Sequence, residues 1–334
     1  MSRDLGPRRP RRLDRSALIA ASVTALSLTA SGCMVVHGER EVLPATTKAE
    51  AAKALQQFTA AYNKADKAYD SSLDSAHVSG ALSAIDAARL KAGAKNNPGG
   101  NPSHTPLELS DAKFTIPKKA GWPRWFVADT AGNKGGDARW VLVFTRDGLN
   151  ETWQASYLTL VARGDMPKFK LDGDGWAEAV PANSTDLAVA PGTLSKDYTS
   201  YLKSGSGAAF ADGAQTSGWI AKRKKDAQKP GLATQYIDEP LNDGDYAPLA
   251  LRTEDGGALV FFTSHHYVKQ TAYPGSSIPA QSADVLALTT GEIKQSITMD
   301  IISNQVALDP PKSGGDQKVS VLGRIQGLTS AEGS

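Results

Sequence analysis

"RWVLVFTR" (Arg139–Arg146) is the stretch from which the rest of the chain is read. It is β-branched and aromatic, a composition that favours a strand. "ALVFFTSH" (Ala258–His265) echoes it, with Phe262 lying 118 residues beyond Phe144. A Gly-rich turn precedes each, "NKGGDA" in one case and "EDGG" in the other. Each also follows helices and an extended segment. Any two buried strands read alike, so the matching order of elements is what argues for a duplication.

Working outward, Thr47-Lys48-Ala49-Glu50 has the spacing of a capping box, each side chain satisfying the other's backbone donor. Behind it Ala51, Leu55, Phe58, Tyr62, Ala65 and Tyr69 recur at three-and-four spacing, one apolar helical face. A second helix is expected over Ser79–Ala92, then a turn-rich loop over Gly93–His104. From Pro106 the pattern turns to strands: "LELSDAKFTIP", "WPRWFVADT", "ARWVLVFTRD" and "ETWQASYLTLVAR". Arg146–Asn150 reads as a hairpin connection. The loop Val180–Gly192 is the expected domain boundary. Helices over Thr193–Lys203 and Ser217–Lys229 follow, the latter broken by Pro230-Gly231. Strands are then expected in "ATQYID", "YAPLALRT", "ALVFFTSHHYVKQTAY", "ADVLALTT" and "SITMDIISNQVAL". The tail "VSVLGRIQGLTSAEGS" adds one more strand before it frays.

The reading is an α+β fold of two tandem domains, 47–181 and 192–330, each placing helices before a curved antiparallel sheet. That order resembles the NTF2-like (cone-shaped α+β) superfamily, over Thr46–Pro181 and Gly192–Thr329. The resemblance is of pattern rather than motif. It implies a sheet wrapped around a helix with a pocket at the open end. Such folds host enzymes, binding modules and assembly domains alike, so the fold does not choose among them.

The N-terminus carries a second signal. The first fifteen residues hold six arginines and two aspartates. Ser16–Ala30 is uncharged, and small residues Ser31 and Gly32 precede Cys33, the single cysteine of the 334 residues. A basic region, an apolar region and a small-residue cleavage site describe a secretory signal. Thr29, Ala30, Ser31, Gly32 and Cys33 resemble the lipobox of bacterial lipoproteins, with Ala30 where leucine is preferred. The resemblance implies that 1–32 is removed and that Cys33 becomes a lipidated first residue, with 33–46 as a tether. In the competing reading Ser16–Val36 stays uncleaved as a membrane anchor. Arg8-Arg9 and Arg11-Arg12 invite a twin-arginine route, although Leu13-Asp14 follows instead of Phe-Leu. At whole-chain level, "GEREVLPATTKAEA" and the tandem layout look like uncharacterised lipoproteins of high-GC Gram-positive bacteria.

Cleavage changes the charge. Removing those eight charged residues from 37 basic and 35 acidic leaves 31 against 33, a net charge near −2. Nothing in that balance points to nucleic acid. With no second cysteine, the exported part folds without an intramolecular disulfide.

Motifs for chemistry are weak. His265 and His266 lie in a strand and point to opposite faces, so they do not converge on one metal. "LDGDG" (Leu171–Gly175) spaces Asp172 and Asp174 as a calcium loop does, but Gly175 comes early and position twelve is Asn183. Ser200-Tyr201-Leu202-Lys203 and Lys312-Ser313-Gly314 evoke serine acyltransferases without the middle element. "KRKKD" (Lys222–Asp226) is a basic run at a helix end, where charge complements the dipole or meets an anionic surface. Trp122, Arg124 and Trp125 are the candidate rim of a pocket. No cofactor and no metal are expected.

These features favour a membrane-anchored exported lipoprotein, attached through Cys33 at the extracytoplasmic face of the cell membrane. Its expected role is a non-catalytic binding or scaffold module for an envelope protein or small ligand. The alternative is a cell-envelope hydrolase or transferase.

Overall fold

In the computed structural model, which describes residues 41–314 and 318–334, "RWVLVFTR" is strand β5 (Arg139–Arg146), and both its faces are covered. It sits in an antiparallel sheet ordered β2 (Leu109–Thr115), β4 (Arg124–Gly132), β5 and β6 (Gln154–Val161). Successive strand residues point to opposite faces. Trp140, Leu142 and Phe144 therefore face helix α1 (Lys48–Ala68), where they meet Leu55 and Phe58. Val141 and Val143 face the other way. With neither face in water, the run is apolar throughout instead of alternating. Across the register Phe126 opposes Phe144, their rings stacked 4.9 Å apart.

The second half builds a matching layer. β8 (Leu232–Leu241) and β9 (Leu249–Arg252) both pair with β10 (Ala258–Ala272), followed by β12 (Ser296–Asp309) and β13 (Ser320–Gly333). Ala258, Val260 and Phe262 pack with residues of α3 (Leu194–Ser204) and α4 (Ser217–Ala227). Leu259 and Phe261 face the first sheet, joining Trp125, Val127, Val141, Val143 and Tyr157 in a shared apolar layer. The layers thus run α1, first sheet, second sheet, α3 with α4. Val42–Ser334 consequently packs as one unit.

Each half runs two helices into a sheet, of four strands in the first half and six in the second, but the echoing strands are not equivalent. β5 is third in its meander, whereas β10 directly follows the β8–β9 pair. Their likeness reflects a common environment, a central strand buried on both faces.

Several expectations are corrected. The tether ends earlier than residue 46, because β1 (Leu43–Pro44) pairs with β3 (Pro117–Lys119), and Ala45 and Thr46 are buried. β7 (Ala177–Glu178) completes that small sheet. Only half of the capping box forms. Thr47 accepts from the Glu50 amide at 3.1 Å, while the Glu50 carboxylate turns to Thr46, Arg146 and Trp153. Helix α2 (Gly80–Asn96) runs on past Ala92 and packs on the second half.

"ADVLALTT" is a short helix, α5 (Ala283–Leu288), running into the two-residue strand β11 (Thr289–Thr290). Ser282 caps that helix, and Ala287 and Leu288 pack on Ala88 and Ala92 of α2. The tail does not fray, since β13 pairs with β12 as far as Gly333. Gly327 lets β13 approach α2, because a Cβ there would lie 2.5 Å from Ile85 Cγ2. The loop Val180–Gly192 is stitched to the second half. Leu187 and Val189 are buried, and the Val189 amide donates to Asp309 at 3.2 Å.

Candidate functional site

Trp122 lies just before β4 and is half-buried. Arg124 and Trp125 are consecutive in the strand, so they part to opposite faces. Trp125 is 2% exposed in the layer between the sheets, so it does not rim a pocket. Trp122 and Arg124 do meet. The Arg124 guanidinium stacks 5.1 Å from the Trp122 ring centre. Arg146 lies 5.6 Å from the same ring and 4.6 Å from Trp153. The result is a column of alternating cations and rings: Arg124, Trp122, Arg146, Trp153. Glu50 accepts from Arg146 at 2.9 Å and from Trp153 Nε1 at 3.0 Å. Burial pulls its carboxyl up, but hydrogen bonds from Thr46 and Trp153 and the Arg146 charge outweigh that and hold it below the usual range. Arg124 donates to the Pro44 carbonyl at 3.1 Å and has no carboxylate partner among the described residues.

A second column stands in the other half. Trp219 and Arg223 are four apart on α4, hence on one face. Tyr236 and Asp238 are two apart on β8, again on one face. Arg324 of β13 opposes Gln305 of β12, which opposes Phe262, so it projects onto the helix-covered side. Arg223 binds Asp238 through two hydrogen bonds of 2.7 and 2.8 Å, both side chains being under a tenth exposed. Its guanidinium lies 4.8 Å from the Tyr236 ring and 5.0 Å from Trp219. Arg324 caps Trp219 at 3.6 Å from the ring centre. The column reads Tyr236, Arg223, Trp219, Arg324, and again one guanidinium has a carboxylate and the other, among the described residues, has none. Burial and the neighbouring Arg223 charge lower the Arg324 pKa.

His266 lies beside this column, 6.5 Å from Trp219 and 3% exposed. Burial and the charges of Arg223 and Arg324 push its pKa down to about 3, so the ring is neutral near pH 7. Gln305 donates to the Ser264 hydroxyl at 2.6 Å nearby.

The other sequence candidates fall elsewhere. His265 points away from His266 and pairs with Asp300. Asp172 accepts from the amides of Asp174 and Trp176, closing a turn, and pairs with Lys118 at 2.6 Å. The Ser200 hydroxyl is tied to the Lys196 carbonyl of its own helix at 2.8 Å. In "KRKKD", Lys222 pairs with Asp226 while Arg223 turns inward, so the run is not one basic surface. Among the described residues, no group of three or more metal-ligating side chains is placed to hold an ion.

One further polar cluster is buried. Arg89 bridges Asp66 and Asp86 at 2.6 and 2.7 Å, and His104 meets Asp66 at 2.7 Å. Asp74 and Asp86 each leave one buried oxygen without a partner among the described residues. Burial, and then Asp86, hold Asp74 protonated far above the ordinary carboxyl range. The Asp66–Arg89 pair is what fastens α1 to α2.

Sequence reasoning found Trp122 and Arg124 but missed Arg146, Trp153 and the whole second column. The spacing "WIAKR" (Trp219–Arg223) was a readable signal for its core. Tyr236 and Arg324 come from distant strands and carry no local one.

These features define an α+β protein of two stacked sheets flanked by helices, with paired cation–aromatic columns. Residues 42–333 match the family described as domain of unknown function DUF8094, and the chain belongs to it. An uncharacterized lipoprotein of Streptomyces coelicolor is 72% identical over 333 residues, covering 100% of both chains. One from Streptomyces avermitilis is 60% identical over the same coverage. A second S. coelicolor uncharacterized lipoprotein is 29% identical over 240 residues, 68% of this chain and 64% of its own. No solved structure matches the chain. Among the described residues no helix is long and apolar enough to cross a membrane.

Proposed function

We propose that this protein is an exported lipoprotein, held by lipid on Cys33 at the extracytoplasmic face of the cell membrane. There it acts as a non-catalytic binding or scaffold module. Residues 1–32 are the signal peptide; Cys33 and the signal lie outside the described residues. The lipobox-like residues support the anchor, as do the lipoprotein names of relatives 72% and 60% identical. One diacylated, N-acylated cysteine supplies enough apolar chain for stable anchoring.

The observation that carries the binding role is the pair of columns. Guanidiniums are charged at any physiological pH and present planar, fixed donors, so they hold ligands rather than exchange protons. The neutral His266 beside them does not shuttle protons near pH 7 either. The tandem NTF2-like reading, 47–181 and 192–330, draws support from the repeated order of a helix pair followed by a largely antiparallel sheet.

Labelled palmitate tests the anchor. Wild type takes up label and fractionates with membrane, whereas Cys33→Ala accumulates as an unlabelled precursor. Label on the variant sinks the anchor. For the binding role, a photo-crosslinking residue at position 122 in intact cells traps a discrete partner, and Arg124→Gln reduces the yield. Turnover of an envelope substrate by the purified protein would replace this reading with the hydrolase or transferase alternative.

A further inference from the structure

We propose that the cleft between α3, α4 and β8 binds a small ligand that joins an oxyanion, carboxylate or phosphate, to an apolar group. The cleft encloses about 270 Å³. Leu202, Ile220 and Ala227 give it an apolar floor, and Tyr236 with the Arg223–Asp238 pair forms a wall. Lys203 and Lys224 stand exposed at its mouth. Asp238 is taken up by Arg223, so both lysines lack a carboxylate among the described residues. The local field is therefore positive, and low-dielectric walls focus it into the cleft.

One observation goes beyond the lysines. The Arg223 side chain is 7% exposed, yet its Nε–H meets no acceptor among the described residues. A buried donor left unmet is costly, and an anionic acceptor removes that cost. Complementing the helix dipoles explains why Lys203 and Lys224 occupy last turns. It does not explain the unmet Nε–H. An aromatic or aliphatic body suits the floor and the Tyr236 ring, while the oxyanion meets Arg223 and the lysines.

This inference rests on the binding-module reading, and its test is separable from that one. The full-length protein in neutral detergent is titrated by calorimetry with benzoate, phenyl phosphate and, as uncharged control, benzyl alcohol. One anion saturates at one site per chain, and their ranking tells carboxylate from phosphate. Benzyl alcohol binds at least about tenfold more weakly, the loss of a charged contact. Lys203→Gln/Lys224→Gln weakens the anion about tenfold and leaves benzyl alcohol unchanged. Failure of both anions to saturate, or undiminished affinity in the double variant, overturns the proposal. If the double variant melts early, protection of wild-type Lys224 from acetylation by the anion, read by mass spectrometry, decides in its place. Cross-linking from position 122 probes the other half, so it tests the module whichever way the titration falls.

Discussion

A guanidinium taken out of water must find a carboxylate or an aromatic face. Arg146 and Arg223 have both, Glu50 with Trp153 in one case and Asp238 with Trp219 in the other. Arg124 and Arg324 have a ring and no carboxylate among the described residues. At this scale alternation was the readable rule. "WPRW" looks like one unit, yet the strand period sends Arg124 and Trp125 apart, and only Trp122, outside the strand, stays with the arginine. Asp74 is the residue whose protonation shapes stability. Its folded carboxyl keeps a proton that the unfolded chain releases near pH 4, so its contribution is full below that pH. As pH rises, the unfolded state binds fewer protons than the folded one, and stability falls. Asp74→Asn removes that fall. Melting curves from pH 5 to 9 should show the variant gaining on wild type, by about 3 °C or more at the alkaline end. Parallel curves would show that Asp74 ionises freely.

Strands buried on both faces were legible as elements because β-branched and aromatic runs end at glycines. What they were buried against was not legible, since an apolar run says that a face is covered and never by which partner. "ADVLALTT" shows the related ambiguity. A run of six to eight apolar residues suits a strand or a short helix, and here Ser282 and the contact with α2 select the helix. β13 shows how much an element's neighbours decide. Its glycines weaken its strand propensity, but Gly327 is what lets it lie against Ile85. Gly327→Val forces the strand off α2, and overpacking of this kind costs about 1–3 kcal/mol. Denaturant unfolding checks it through a lowered midpoint; Ile85→Ala in the same chain restores part of the loss. An unchanged midpoint would mean that β13 does not bear on α2 in solution.

At the scale of the molecule, the order of helices and strands divides the chain into two halves, but no sequence signal announces that their sheets share a layer. Trp125, Tyr157, Leu259 and Phe261 are mutually buried there, Tyr157 and Phe261 with ring centres 6.1 Å apart. Removing either half would expose that layer to water. Heating should therefore give one transition, reported alike by Trp140 and Trp153 fluorescence and by exchange of second-half amides. Two transitions separated by about 5 °C or more would show halves that fold alone.

Among the described residues β13 follows every other strand and closes the structure. β13 completes the pairing of β12, and it lies against α2 from the opposite half. On the proposed export route, a chain that crosses the membrane N-terminus first arrives with this closure still to come. Until β13 emerges, one side of β12 has no neighbour, and α2 holds only its contacts with the other elements, β6 and α5 among them. On that proposed route, the order of elements leaves the docking of β13 until after the other strands of both sheets have crossed.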